Sequence, residues 1–266
     1  MTATATHSTH RIAAPSRLLQ LAELRAGWEL GATLALWPLL KLAPRGDGHP
    51  VVVLPGLLAS DLSTQLLRRY LRERGYTAHG WGLGRNLGPR QGVEAGMVAL
   101  LERLRGAEGR KVSLVGWSLG GAYARALALR RPHAVRNVVT LGSPIASDAS
   151  AASVRRLYDW VSGQRRSSAT PAPRIYRAVP AEMPSTSIYS RSDGVVAWRA
   201  SLQPEGPLAE NVEVVGSHLG LGVHAPVLYA VADRLAQPVG RWKPFNPPWT
   251  LRAMYPDPQR TPRSQN

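Results

Sequence analysis

Short apolar runs alternate with helical segments through most of this 266-residue sequence. Six runs have the apolar, often β-branched composition of strands: HPVVVLPG, YTAHGWGLG, KVSLVG, VRNVVTLGSP, STSIYSRSDG and VEVVGSH. Helical patterns separate most of them, and such alternation builds βαβ units whose strands are parallel. The sequence therefore predicts an α/β fold with a mostly parallel central sheet and helices on both faces.

Composition sets the limits of this domain. Residues 1–14 are rich in Thr, Ala and Ser, which predicts a disordered tail, and residues 15–45 predict a helical segment. The main domain is predicted over residues 46–240. Within it, residues 146–180 are rich in Ser, Ala, Arg and Pro and contain one helix candidate, SVRRLYDWVSG. We interpret them as a short insertion over one end of the sheet. Residues 241–266 form a proline-rich tail.

The aromatic residues of the proline-rich tail indicate how it is held. Trp242, Phe245 and Trp249 all fall in its first half. We expect that half to pack on the body of the domain.

The N-terminal segment is strongly apolar. SRLLQLAELRAGWEL has helical spacing and predicts an amphipathic helix, with its apolar residues at Leu18, Leu21, Leu24 and Trp28. The run from Leu30 to Pro44 is too short to cross a bilayer and is interrupted by Pro38. We expect it to pack on the domain. The alternative is an interfacial anchor or a flap near a lipid-facing mouth.

The net charge of +16 raises the question of a nucleic-acid partner. The basic residues are almost all Arg, with Lys only at positions 41, 111 and 243, and they are spread along the chain without a basic tail or a nucleic-acid-binding motif. We therefore expect no nucleic-acid partner. Weak attraction to anionic lipid fits this charge better.

Other features narrow the chemistry and the location. There is no Cys, hence no thiolate nucleophile or disulfide. No metal-ligand cluster and no phosphate-binding G-x-G-x-x-G is found, so we expect no metal and no cofactor. The N-terminus lacks the pattern of a signal peptide, which favours a cytoplasmic location, with peripheral membrane contact through the N-terminal segment.

The motif VGWSLGG supplies a candidate nucleophile. Gly116 and Gly120 flank Ser118 between a predicted strand and a predicted helix, in the pattern G-x-S-x-G. Glycines are needed where the backbone turns sharply from a strand into a helix. The serine then lies at the helix N-terminus, and the backbone N–H of Leu119 falls where an oxyanion donor is needed.

The candidate acid and base follow later strands. Asp193 lies in SIYSRSDGVV and His218 in NVEVVGSHLGLG, so Ser118, Asp193 and His218 each follow a strand in that order. The alternatives are Asp148 for the acid and His224 for the base; His79 and His133 are weaker candidates for the base.

A second oxyanion donor is expected in the loop after the first strand, VVVLPGLLASD. Gly56 permits a tight bend there, and the N–H of Leu57 follows it. We expect Asp61 to cap the following helix. The glycine-rich loop at 81–89 either lines the site, supports the Leu57 loop, or is an ordinary ordered loop.

Residues 49–236 resemble bacterial serine α/β-hydrolases of the lipase and esterase type. The resemblance lies in LPGLLAS, GWSLGG, YSRSDGVV and GSHLGLG. It implies the α/β-hydrolase fold, with Ser118, Asp193 and His218 as a catalytic triad and the Leu57 and Leu119 N–H groups as the oxyanion hole. Two departures weaken substrate assignment: Pro-Gly stands where many members have His-Gly, and the insertion at 146–180 is longer than in minimal lipases.

The expected function is hydrolysis of a carboxylic ester with an apolar acyl part, through an acyl-enzyme. The partner is then a small-molecule ester. An acyltransferase on the same triad is the alternative, and a non-catalytic lipid- or ligand-binding protein is a third hypothesis. The sequence leaves the acyl chain length and the oligomeric state open.

Overall fold

A sheet of six parallel strands forms the centre of the computed structural model, which describes residues 14–146 and 179–256. The strands are β1 (Pro50–Leu54), β2 (Thr77–Gly80), β3 (Val112–Trp117), β4 (Val135–Leu141), β5 (Ser185–Ser190) and β6 (Ala209–Val214). Their order in the sheet is β2-β1-β3-β4-β5-β6, and every neighbouring pair is parallel. The predicted α/β fold with a parallel sheet is confirmed.

Helices cover both faces of this sheet. The described α-helices are α1 (Arg17–Leu21), α2 (Ala26–Ala35), α3 (Trp37–Leu40), α4 (Gln65–Glu73), α5 (Val93–Glu108), α6 (Leu119–Arg130) and α7 (Ala225–Leu235). Short 3-10 helices span Ala22–Arg25, Asp61–Thr64, Trp198–Ser201 and Trp249–Met254. In β1, Val51 and Val53 belong to the core that contains α4 and α7 residues, whereas Val52 and Leu54 belong to the core beneath α5 and α6.

The strand register aligns the carboxyl ends of the central strands. Leu54 of β1 pairs with Gly116 of β3, and Trp117 pairs with Leu141 of β4. Loops that follow these strands therefore meet at one edge of the sheet, where ligands bind in open parallel sheets.

The N-terminal segment is helical but differs from an ordinary amphipathic helix. It is divided into α1, the 3-10 turn and α2, and its apolar residues Leu18, Leu21, Leu24 and Trp28 are exposed. The buried side chains are polar: Glu23, Glu29 and Thr33. Only its end enters the core, through Leu40 and Ala43.

The tail after α7 packs in part as predicted. Phe245 packs against the core, and the Arg234 guanidinium lies 6.0 Å from the Trp242 ring centroid. Trp249 does not pack; it is exposed, and Leu251 is the buried residue of its 3-10 turn. The predicted disordered tail, except for Ala14, and the SVRRLYDWVSG helix lie outside the described residues.

A polar network around the buried His49 ring lies at the opposite end of the sheet. The His49 ring contacts the Asp47 carboxylate through Nδ1 and the Ser113 hydroxyl through Nε2, the latter at 2.7 Å. Burial, reinforced by the positive charge of Arg136, lowers the pKa of His49 to about 4 although Asp47 opposes the shift. His49 is therefore neutral in the folded protein at pH 7.

This network predicts acid sensitivity. Between the ordinary histidine pKa of 6.5 and about 4, the unfolded chain binds a proton at His49 that the folded chain does not. The free energy of unfolding should therefore decrease as the pH is lowered through this window. By pH 5 the decrease due to His49 is about 2 kcal/mol. The non-titrating His49→Gln variant should lose about that much less between pH 7 and pH 5 in urea unfolding. Equal losses in the two proteins would contradict the prediction.

Candidate active site

Ser118 occupies a strained turn between β3 and α6. Its φ of 53° and ψ of −122° put it in a region that non-glycine residues rarely adopt, at about 1–3 kcal/mol of strain. Its backbone N–H donates to the Leu141 carbonyl of β4 at 2.8 Å. The turn thereby fixes Ser118 at the carboxyl edge of the sheet, at the N-terminus of a helix.

The flanking glycines are required by backbone contact. A Cβ on Gly116 would lie 2.4 Å from the Gly120 carbonyl, and a Cβ on Gly120 would lie 2.3 Å from the Leu54 carbonyl oxygen. A Cβ on the next residue, Gly121, would come as close to the side chain of Ser143. These contacts leave room for hydrogen atoms alone, which explains the spacing of the G-x-S-x-G motif.

His218 and Asp193 form a buried hydrogen-bonded pair. His218 Nδ1 lies 2.7 Å from Asp193 Oδ2. The other carboxylate oxygen, Oδ1, accepts the N–H groups of Val195 and Val196 at 2.8 and 2.7 Å. Because Nδ1 faces a carboxylate, it carries the proton, and Nε2 of the neutral ring is free to accept one.

The charges around the pair set the basicity of His218. Burial acts to lower the pKa of His218, but the contact with the Asp193 carboxylate and the nearby charge of Glu23 raise it above its ordinary value. The ring is therefore a stronger base than an isolated histidine.

Contacts with β3 and β4 bring the pair beside Ser118. Trp117, which precedes the serine, donates its indole N–H to the His218 carbonyl at 3.1 Å. Gly142 follows Leu141, and a Cβ there would lie 3.0 Å from Asp193 Oδ2 and 3.1 Å from His218 Nδ1. The His218–Asp193 pair therefore lies at the same edge of the sheet as Ser118.

The Ser118 hydroxyl itself is buried and makes no hydrogen bond with any residue in the described ranges. Contacts between nucleophile and base are often loose before substrate binds and tighten in the reacting complex.

The loop after β1 lies directly against Ser118. A Cβ on Gly56 would be 3.3 Å from Ser118 Cβ and 3.9 Å from its Oγ. The next residue, Leu57, is buried, and Leu58 is held at a φ of 59°. Neither the Leu57 nor the Leu119 N–H donates to an acceptor among residues 14–146 and 179–256.

The glycine-rich loop at 81–89 supports the Leu57 loop, one of the roles considered for it. Asn86 is fully buried there; its carbonyl accepts the Leu58 N–H at 2.7 Å and its side-chain amide donates to the Pro55 carbonyl at 2.9 Å. The expected capping role of Asp61 is wrong. The side chain of Ser60 caps the turn, and the Asp61 carboxylate accepts the N–H groups of Trp81 and Gly82 instead.

The alternative site residues have other positions. His224 is the N-cap of α7, and its ring lies close to Gly216, in the loop that carries His218. His79 lies within β2, and His133 contacts Glu102 on the surface. Asp148 lies outside the described residues.

A carboxylate from the N-terminal segment joins the loop that carries Asp193 (the acid loop) to the loop that carries His218 (the base loop). Glu23 Oε1 accepts the N–H groups of Gly194 and His218 at 2.7 and 2.9 Å, and Oε2 accepts that of Leu219 at 2.8 Å. The side chain is 3% exposed. Glu23 thus holds the residue after Asp193 and the backbone of the histidine itself.

Glu29, six residues after Glu23, holds the loop that carries His218. Its carboxylate accepts both the N–H and the hydroxyl of Ser217, next to His218. Arg25 bonds Glu29 at 3.1 Å and reaches the carbonyl of Ser192 at 2.8 Å. The N-terminal segment therefore contacts both the loop that carries Asp193 and the loop that carries His218.

Sequence reasoning did not identify Glu23 or Glu29 as site residues. A signal was present, because they are the only acidic residues among the first 46 and stand six apart in an otherwise apolar and basic segment. An amphipathic pattern assigns such residues to the solvent side, whereas here both are buried.

The comparisons with known proteins establish the family of this chain. The model of the alpha/beta hydrolase family matches residues 51–261, and the chain belongs to that family. No curated protein sequence matches it.

Solved structures share the fold at low sequence identity. The pyrethroid hydrolase PytH is 17% identical with a TM-score of 0.51, covering 70% of this chain and 97% of its own. Bacillus licheniformis lipase BlEst2 in its propeptide form is 18% identical with a TM-score of 0.54, covering 77% of this chain and 54% of its own. Its mature form is 17% identical with a TM-score of 0.50, covering 71% and 92%.

The charge of Glu23 gives a direct prediction for His218. In Glu23→Gln, one amide oxygen can still accept N–H groups, but the negative charge that helps to raise the pKa of His218 is gone. That pKa should fall relative to the wild type in an NMR titration of the ring. Glu73→Gln, which alters an acid bonded to Trp37 and Arg69, is the matched control and should leave it unchanged. An unshifted His218 in Glu23→Gln would contradict the assignment.

Proposed function

We propose that this chain is a serine hydrolase that cleaves carboxylic esters through a Ser118–His218–Asp193 triad and an acyl-enzyme. The observation that carries the proposal is the buried His218–Asp193 pair next to a serine held in a strained strand-to-helix turn. A serine hydroxyl is a weak nucleophile, and it needs an adjacent base and a third group that orients that base.

The first half of the reaction forms the acyl-enzyme. Ser118 Oγ attacks the ester carbonyl carbon while its proton passes to Nε2 of His218, and Asp193 stabilises the resulting imidazolium. The oxyanion is bound by the N–H groups of Leu57 and Leu119. The tetrahedral intermediate then collapses, the ester C–O bond breaks, and His218 returns the proton to the departing alcohol.

Water completes the cycle. His218, now neutral, takes a proton from a water molecule whose oxygen attacks the acyl carbon. The second tetrahedral intermediate releases the carboxylic acid, and Ser118 recovers its proton from His218. Asn86 contributes by fixing the Leu57 loop through the Leu58 N–H and the Pro55 carbonyl.

The surroundings of the triad favour an apolar acyl group. Large apolar residues stand next to Ser118, near His218 and in the oxyanion loop in the sequence: Leu57, Leu58, Trp117, Leu119, Leu219 and Leu221. Apolar walls with a few placed donors are typical of small-molecule sites. The pyrethroid hydrolase and the lipase among the fold neighbours are consistent with this substrate class.

A chain-length series of p-nitrophenyl esters tests the activity. Hydrolysis should increase from acetate towards longer acyl chains, and Ser118→Ala should lower kcat/KM by about 10⁴-fold or more while keeping the wild-type Tm. A rate that peaks on the shortest esters would contradict the apolar acyl assignment. Undiminished hydrolysis by Ser118→Ala would contradict the nucleophile. The same assay with added alcohols tests the acyltransferase alternative. Formation of new esters of those alcohols would identify an acyltransferase.

The acid is tested by a matched pair of variants. Asp193→Asn should lower kcat by about 10³–10⁴-fold because the amide disfavours the tautomer that leaves Nε2 free. Asp148→Asn makes the same chemical change at the alternative acid and should leave kcat near the wild-type value. The opposite ranking would move the acid to Asp148.

A further inference from the structure

The outward side of the N-terminal segment is apolar and exposed. Leu18, Leu21, Leu24 and Trp28 are 78%, 67%, 85% and 80% exposed. They are spaced by three or four residues, which puts them along one side of a helical path. We name these four residues the N-terminal apolar face. Leu30, Leu34, Leu39 and Leu42 extend the exposed apolar surface along the segment.

The charges of the segment are sorted between its two sides. Its two acids, Glu23 and Glu29, are turned inward and buried against the acid and base loops. The exposed charged residues at its ends are basic: Arg17, Lys41 and Arg45. Over residues 14–46 the exposed side therefore presents apolar and basic groups and no acidic one.

We propose that the N-terminal apolar face docks onto an anionic lipid surface. Leucine side chains enter the boundary of the acyl chains, Trp28 lies at the headgroup level, and the flanking Arg and Lys approach the lipid phosphates. The net charge of +16 adds a long-range attraction to the same surface. Over residues 14–146 and 179–256, no helix has the length and apolar content needed to span a bilayer.

Charge also distinguishes a lipid surface from the other occupants. A second copy of this chain would bring Arg17, Lys41 and Arg45 against the same residues of its partner, with like charges opposed. Residues 147–178 of the same chain contain six Arg and two Asp, so they are basic as well. An anionic lipid surface is the occupant whose charge complements that of the segment.

The docking brings the proposed active site close to the lipid surface, behind the N-terminal segment, and this part of the inference rests on the proposed function. The side opposite the N-terminal apolar face holds the catalytic loops: a Cβ on Gly194, the residue after Asp193, would lie 2.2 Å from the Leu19 carbonyl, and Glu23 bonds His218 and Leu219. Leu219 and Leu58, which border the site, are themselves partly exposed. A lipid ester would then have a short path from the surface to Ser118.

Vesicle binding tests the docking without requiring catalysis. The full chain should sediment with vesicles of phosphatidylglycerol and phosphatidylcholine, and more weakly with phosphatidylcholine alone. The triple variant Leu21→Ser, Leu24→Ser, Trp28→Ser should bind the anionic vesicles about tenfold or more weakly. Its matched control, Leu62→Ser, Leu129→Ser, Val239→Ser, removes exposed apolar groups elsewhere and should bind like the wild type. Absent wild-type binding, or equal losses in both variants, would overturn the proposal.

Activity on a soluble ester distinguishes a failure of the proposed function from a failure of the proposed docking. Both triple variants should hydrolyse a water-soluble p-nitrophenyl ester at the wild-type rate, which shows that the fold and the triad are intact. If the wild type hydrolyses no ester, the proposed function fails while the vesicle result still decides the docking.

A photo-crosslinker identifies the occupant of the face. With benzoylphenylalanine at position 28, irradiation in the presence of anionic vesicles should attach lipid, detected by intact mass. Crosslinks to residues 147–178 or to a second copy, with no lipid adduct, would show that protein covers the face and would overturn the proposal. The same substitution at position 62 is the control and should give no lipid adduct.

Discussion

Three backbone segments meet around Ser118 with no space for a side chain, and the geometry of the site depends on this contact. The turn after β3 lies against the start of α6 at Gly116 and Gly120, and Gly120 lies against the carbonyl of Leu54 at the end of β1. Any larger residue would push the helix from the sheet. The close approach forces Ser118 into its strained conformation and directs the N-terminus of α6, with the Leu119 N–H, at the position proposed for the oxyanion.

The loops that carry Asp193 and His218 are held by a side-chain carboxylate as well as by close backbone contact at Gly194. The N–H groups of Gly194, His218 and Leu219 have no backbone acceptor in the part of the chain that the structure describes. The buried Glu23 carboxylate accepts all three. A buried carboxylate is stable only when such donors surround it, so the loops and the N-terminal segment stabilise each other. The negative charge required for this also strengthens His218 as a base. Because the inward side of the segment is occupied by carboxylates, its leucines and Trp28 are left on the outside.

The sequence predicted the sheet because strands and helices carry local signals. All six strands were visible as apolar runs, and parallel pairing follows from the helices between them. Ser118, Asp193 and His218 could be proposed because each follows a strand, and the carboxyl ends of parallel strands share one edge. Gly116 and Gly120 could be interpreted because their motif encodes a known steric requirement.

The contacts that the sequence did not reveal are long-range and polar. Glu23 meets His218 across 195 positions, and nothing in a helical pattern marks a carboxylate as inward-facing. Asp61 had the composition of a helix cap, but its carboxylate reaches the loop after β2 while Ser60 makes the cap. Trp249 was expected to pack because it is aromatic, yet it is exposed, and Phe245, Leu251 and Tyr255 make the contacts with the core instead. For Glu23 and Asp61 the outcome depended on which distant backbone N–H groups needed an acceptor.

Ser118 as the nucleophile is the central claim, and covalent labelling measures it most directly. The chain should react with a fluorophosphonate probe to give one adduct per molecule by intact mass, with peptide mapping placing it on Ser118. Ser118→Ala should show no adduct at matched concentration and time. An adduct on another residue, or undiminished labelling of Ser118→Ala, would contradict the account.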